Sequence, residues 1–449
     1  MFDPDFLKQK AKERKLTETE TETFLAILNN IGQRDEEIAG KLYCHRSTLQ
    51  SRMTNIYLKF GTSSNRGPGK KQELIGILNK EYPEWKKERN KGKKSQSNLN
   101  NTIFNTYSQD TYYFNSAPDV SIFYGCTEEL EKLRKWVIED NYRLIAIHGV
   151  TGVGKTYLVR RFADTVKNEF QCAFWHSLPS YSPHTPKEYL TKLLHSFHEW
   201  FSSEPVDISE ASFDDLLNKL MYYLTNYRCL LILDNFQYVL KEQERVGTYE
   251  DTYQGYRDLL LRIGQSSSKM KSCLLLNSWD KPQGLAQIDT KAFKTFQFKG
   301  SEETCQEILS KYDFSDPYLC QNLIEIYDIN PLLLKGIAEI ILTLYEGKIE
   351  RLLGEGTYII PNHYYISKIK QLKRLSSFEL EIIRCFPDKA QTLSFEELRK
   401  KLGLSKESKS KLLTPLDQSL FSSRSLVNKT AQGYNISPLI KRVLEELYS

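Results

Sequence analysis

No run of eighteen or more apolar residues occurs in this chain, which leaves no candidate for a membrane-spanning helix. A secretory leader is also missing, because Met1 to Lys15 is polar and of mixed charge. The eight cysteines, at 44, 126, 172, 229, 273, 305, 320 and 385, include no C-x-x-C pair, and no spacing suits zinc. Cys172, Cys229 and Cys273 fall inside apolar runs, as buried reduced thiols do in cytoplasmic proteins. The reading is therefore a cytoplasmic protein with no membrane partner. At 449 residues, two to four domains are expected.

A strong overall charge is absent too, the net being +5. Its distribution is uneven. Arg46 to Lys94 carries 13 Lys or Arg against 4 Asp or Glu, while 1–45 and 95–449 are each slightly acidic. A basic block of this kind suits nucleic acid or another polyanion, or else forms a solvated linker.

The most informative residues present are Gly149-Val150-Thr151-Gly152-Val153-Gly154-Lys155-Thr156, which fit the P-loop pattern G-x-x-x-x-G-K-[ST]. Leu144 to His148 reads as a buried strand before it and Tyr157 to Phe170 as a helix after it. The glycines let backbone N–H groups wrap a phosphate chain, and the helix N-terminus adds positive potential. Lys155 is expected to reach the outer phosphates and Thr156 to ligate magnesium. Asp234 ends the apolar run Cys229 to Leu233, where a carboxylate can hold the same ion. A nucleoside di- or triphosphate with Mg²⁺ is thus the expected ligand, and Lys155 and Asp234 the candidate catalytic pair; the resemblance drawn below implies that it is ATP or ADP.

Around this motif the chain divides into five expected segments: 1–85, a basic and polar linker 86–117, 118–299, 300–364 and 365–449. In the first, apolar residues at helical spacing run from Leu16 to Ile31. Asp35 is placed to cap a helix through Leu42, and Tyr43-Cys44-His45 turns into a third helix, Arg46 to Phe60. Its polar face holds Arg46, Ser47, Gln50, Arg52 and Asn55, the candidate DNA contacts. This stretch resembles the helix-turn-helix of response-regulator-type transcription factors; a three-helix module that binds protein is the alternative. From Ser121, short apolar runs alternate with helices, which implies an α/β fold with a parallel sheet covered on both faces. Beyond Gly300 helices alone follow, then three helices and a hairpin (Leu426 to Asn428, Gly433 to Ile436) that suggest a winged helix.

Tyr124-Gly125, the P-loop, Phe174 to Leu178, Leu230 to Phe236, Ser272 to Ser278 and Asn330-Pro331-Leu332 occur in the order seen in NB-ARC proteins. From 118 to 449 the chain resembles that family of STAND-class P-loop ATPases, and bacterial members with a helix-turn-helix in front. The resemblance implies a switch: ADP holds nucleotide-binding, helical and winged-helix domains closed, and ATP permits opening and self-assembly. It places Phe123 and Tyr124 near the adenine, Tyr157 after the loop, and Pro331 at the pocket wall. Asn277-Ser278-Trp279 stands where the family often has a phosphate-sensing Arg, and Cys126 where related chains often carry Arg. Asn235 and Gln237 replace acidic residues, so slow hydrolysis is expected. No Met-His-Asp triplet occurs, Ile436-Ser437-Pro438-Leu439 standing near its place, and no sensor repeats follow 449.

The expected function is an ATP/ADP switch controlling domain opening and homo-oligomer assembly. Residues 1–94 would bind double-stranded DNA or a partner, and the signal could come from a separate sensor protein. The alternative is an AAA+-like DNA-remodelling ATPase of replication or transposition. A third reading is a nucleotide-bound scaffold without turnover.

Overall fold

Alternating apolar runs and amphipathic helices do build a parallel α/β layer. The computed structural model describes residues 4–29, 46–62, 70–71, 73–82, 111–201, 208, 210–314, 316–356, 358–387 and 391–448. They fall into two compact units, 1–107 and 108–449.

In the first unit the helices Pro4–Glu13, Glu18–Asn29 and Arg46–Lys59, with a helical stretch over 73–82, share one apolar core. The first helix escapes the sequence reading because few of its residues are apolar, yet Phe6, Leu7 and Ala11 are buried. Phe24, Ile27 and Leu28 face Leu49, Ile56 and Phe60 in the same core. The expected helix from Asp35 to Leu42, the turn at Tyr43 to His45, the turn at Gly67 to Gly69, and residues 83–110 of the chain lie outside the described residues.

The second unit centres on six parallel strands: β1 (Tyr112–Tyr113), β2 (Leu144–His148), β3 (Cys172–Ser177), β4 (Cys229–Asp234), β5 (Cys273–Ser278) and β6 (Phe293–Gln297), in the order β1-β3-β4-β5-β2-β6. β2 to β5 are buried at nearly every position, which explains their unbroken apolar runs. Two apolar clusters cover the two faces. β1 comes from the stretch read as linker; Tyr113 stacks on Phe174 at 4.9 Å between ring centroids. Two residues are too short to show a period, so this strand had no sequence signal.

The order matters because β5 lies between β2, which leads into the P-loop, and β4, which ends in Asp234. A polar residue near the end of β5 therefore faces both. Beyond the sheet, helices Glu302–Ser310, Pro317–Ile326, Pro331–Leu344 and Ile349–Gly354 share one core. The helix Asn362–Leu372 runs through the expected 364/365 boundary. Then come helices Ser377–Arg384, Phe395–Lys401 and Lys409–Leu413, a π-helical turn Thr414–Phe421, an antiparallel hairpin of β7 (Asn428–Thr430) and β8 (Gly433–Asn435), and helix Pro438–Tyr448. Helix starts at Ser212, Ser376 and Ser394 carry capping boxes. Among the described residues no helix is long and apolar enough to cross a membrane.

Candidate nucleotide-binding site

β2 ends at His148, and helix Lys155–Val166 starts six residues after Gly149. The loop between them is closely enclosed by the Phe298 backbone and the Asn330 side chain. A Cβ on Gly149 would stand 2.2 Å from the Phe298 carbonyl oxygen, and one on Gly152 2.5 Å from Asn330 Oδ1. Gly152 and Gly154 have φ of +84° and +100°, where a side chain is strained. The glycines are therefore a requirement of the loop's shape.

Lys155 is buried, and its ammonium donates to the carbonyls of Gly149 (3.0 Å) and Val150 (2.9 Å). Burial lowers its pKa to about 7, against the pull of Asp234; nearby Lys368 pushes it further down. Thr156 Oγ1 donates to Asp234 Oδ1 at 3.1 Å. Asn277 Nδ2 donates to the same carboxylate and stands 3.0 Å from Thr156 Oγ1. Ser177 Oγ reaches Asp234 Oδ2 at 3.4 Å. Burial raises the Asp234 pKa; the bonds from Thr156 and Asn277 oppose that rise.

The remaining expected residues are distributed as follows. Val150 is half-buried and Val153 buried; Thr151 is buried and gives its N–H to Gln371 Oε1 at 3.4 Å. Tyr124 has the Lys311 ammonium 4.4 Å from its ring centre, and its carbonyl accepts from Thr304 Oγ1. Arg161 lies over Phe123. Tyr157 is half exposed. Pro331 takes the first position of its helix, where its lack of an N–H costs nothing. The contacts to the loop come from its neighbours: Asn330 Nδ2 donates to the Thr151 carbonyl at 2.9 Å, and Leu332 N–H to the Gly152 carbonyl at 3.3 Å. In the first unit, Ser47, Gln50 and Asn55 are exposed, and Arg52 is half-buried on the helix that Arg46 begins.

Four residues at the site had no role assigned from sequence: Asn277, Asn330, Lys368 and Gln371. Asn277 left a signal, a polar residue closing the apolar run of β5, which was read only as a missing arginine. Lys368 and Gln371 left none, since no motif marks their helix.

These groups fit a nucleotide. Asn277 Oδ1 is buried beside Thr156 and Asp234 without a hydrogen-bond partner, a position suited to a metal-bound water. Among the described residues no three His, Cys, Asp or Glu side chains could cage a metal. An ion here would rest on Thr156, Asp234 and phosphate oxygens, as magnesium does.

Comparison with known proteins agrees at the level of the domain. A family model described as AAA domain matches residues 138–266, and this part of the chain is a P-loop ATPase domain of the AAA type. An uncharacterized WD repeat-containing protein from Nostoc sp. is 30% identical over 358 residues, 74% of this chain and 27% of that protein. The chain thus spans about a quarter of that relative's length. Among solved structures, the ORC2 protein of Aeropyrum pernix (ADPNP-ADP complexes) shares 16% identity over 72% of this chain and 94% of that one, with a TM-score of 0.38. Cdc6p from Pyrobaculum aerophilum shares 14% over 72% and 94%, with a TM-score of 0.34. Likeness at that level carries no argument about what this chain binds.

Proposed function

We propose that the chain is an ATP/ADP-binding switch of the STAND type, in which the nucleotide at Gly149 to Thr156 sets how the helical and winged-helix parts pack. One observation carries this reading. The loop is bonded to both parts at once, to Asn330 and Leu332 on one side and to Gln371 on the other. A ligand that moves the loop must act on both.

The bound nucleotide supplies the negative charge and the hydrolysable bond. Lys155 would exchange its loop carbonyls for outer phosphate oxygens. Thr156 and Asp234 would hold magnesium, with Asn277 orienting both. Turnover would be slow. The two positions after Asp234 that could supply a base hold amides, and Gln237 Nε2 is spent on Asn235 Oδ1, its Oε1 on the Trp279 N–H. The helix Arg46–Lys59 would serve DNA or a protein partner, and assembly of copies or a separate sensor would transmit the signal. The AAA-domain match keeps a second reading in play, a DNA-remodelling ATPase, for which DNA-stimulated turnover is the mark.

The test is light scattering and protease digestion of the full chain with ADP, with a non-hydrolysable ATP analogue, and with each plus duplex DNA. Mass or cleavage is expected to change between the two nucleotides, and Lys155→Ala is expected to abolish binding of both. Identical mass and cleavage in every condition, or wild-type affinity in Lys155→Ala, would overturn the reading.

A further inference from the structure

Helix Asn362–Leu372 presents Tyr364, Lys368, Gln371 and Leu372 to the interior. Two of these are apolar anchors; the other two form a polar pair one turn apart. Lys368 is 2% exposed and Gln371 1%. A buried ammonium normally needs its three donors met. For Lys368 the structure records one acceptor, Gln371 Oε1 at 3.3 Å. The Gln371 Nε2 atom is buried with no partner. Burial holds the Lys368 pKa down at about 8, with Asp328 pulling it back up.

What lies beside this pair is the phosphate loop. Gln371 Oε1 also takes the Thr151 N–H, and Lys368 stands close enough to Lys155 to depress its pKa. A cavity of about 350 Å³ connects Val150 with Asp328, Tyr364, Lys368 and Ser437. Unused donors and two mutually repelling cations therefore converge on the end of the loop that Lys155 serves. Lys155 addresses the outer phosphates, so the group that best completes this constellation is the terminal phosphate of a nucleoside triphosphate.

We propose that Lys368 and Gln371 are specificity-determining residues that distinguish a nucleoside triphosphate from a diphosphate in the P-loop. The proposal rests on the nucleotide reading above. Lys368 supplies a charge-assisted donor to the terminal phosphate, and Gln371 turns its free amide N–H toward it. A diphosphate stops short of both. Coupling is reciprocal: whatever the pair adds to triphosphate affinity, the triphosphate adds to the grip of helix Asn362–Leu372 on the loop, so at this contact ATP tightens the packing, opposite to the opening that the resemblance to STAND-class ATPases implies.

Titration calorimetry of the full chain with ADP and with the imido analogue of ATP, both with Mg²⁺, tests this. A charge-assisted bond of about 1.5–3 kcal/mol corresponds to a loss of roughly tenfold to a hundredfold. Lys368→Met is expected to weaken the ATP analogue by that factor and leave ADP within about twofold to threefold. Gln371→Glu, which sets a carboxylate against the terminal phosphate, is expected to act in the same direction. ADP affinity doubles as the folding control. Should Lys368→Met lose ADP binding and its thermal transition, Gln371→Glu decides alone. Equal losses for both nucleotides in Gln371→Glu, or no change in either variant, overturn the proposal. If the wild type binds neither nucleotide, the switch reading falls and takes this inference with it. If Lys155→Ala loses both nucleotides while the pair proves indifferent, only this inference falls.

Discussion

Two buried charged clusters lie in the second unit, and they are built to opposite rules. At the phosphate loop, Lys155 feels Asp234 and Lys368 feels Asp328, and both lysines have their pKa pushed down by burial. Just past β5, Asp280 is held by two arginines. Arg374 Nε donates to it at 2.9 Å, and Arg424 Nη1 stands 3.1 Å away as an ion pair without hydrogen-bond alignment. Arg424 Nε also donates to Glu379 at 3.0 Å, and Arg374 to Glu242 and to the Leu240 carbonyl. Each arginine there is ion-paired with carboxylates; the lysines at the loop feel Asp234 and Asp328 at longer range, with no such pair among the described residues. The first cluster is electrostatically suited to receive an anion. The second is suited to join two parts of the chain, because Asp280 belongs to the sheet side and Arg374 and Arg424 to the winged-helix side. Asp280 lies only three positions after Asp234's partner Asn277, with β5 ending at Ser278 between them. The joint is therefore mounted on the strand that touches the nucleotide site.

The largest expected effect comes from breaking the balanced cluster. Asp280→Asn leaves Arg374 and Arg424 buried with their shared counter-charge gone. Removing one partner of a buried ion network costs about 3–5 kcal/mol. The denaturant midpoint of the second unit is expected to fall accordingly, with protease cleavage appearing near Arg374. A variant that unfolds at the wild-type midpoint would show that the two clusters do not differ as argued.

How far each cluster could be read from sequence follows the same division. The phosphate loop was legible because its chemistry is local: eight consecutive residues, a strand before and a helix after. The parallel sheet was legible because strands buried on both faces must be apolar throughout, as Leu230 to Leu233 and Leu274 to Leu276 are. Asp280, Arg374, Glu379 and Arg424 were invisible, since nothing in a sequence says which surface-type residues will be buried together across a hundred positions. The strand Tyr112–Tyr113 was missed for want of length. The first helix was missed because Phe6, Leu7 and Ala11 are spread thinly among charges. Lys368 and Gln371 sit on a helix for which the sequence reading named no element, and only the packing of Gln371 against Thr151 shows that they face the site.

A subtler way to separate the clusters is pH. The folded lysines release protons near 7 and 8, whereas lysine in the unfolded chain holds its proton to about 10.4. Between those limits the unfolded state binds more protons, so stability from this cluster rises with pH. The penalty of charging the lysines is fully present below 7. Comparing wild type with a Lys155→Met, Lys368→Met double variant, both free of nucleotide, cancels every other group. The wild type is expected to gain on the variant by about 1 kcal/mol between pH 7 and 8, read from urea midpoints. A constant difference across that interval would mean that the lysines remain fully charged in the folded chain.

The smallest expected effect probes the edge of the balanced cluster. Glu242 pairs with Arg374 Nη1 at 3.1 Å, as Asp280 pairs with Nε, but its side chain is 58% exposed while that of Asp280 is 2%. Geometry alone would rank the two contacts alike. Solvent screening ranks them far apart, since water replaces a lost exposed partner and cannot replace a buried one. Glu242→Gln keeps the side chain's size and is expected to shift the midpoint by about 0.5 kcal/mol or less. An effect as large as that of Asp280→Asn would mean that the whole network acts as one unit, with Glu242 as necessary as the carboxylate inside it.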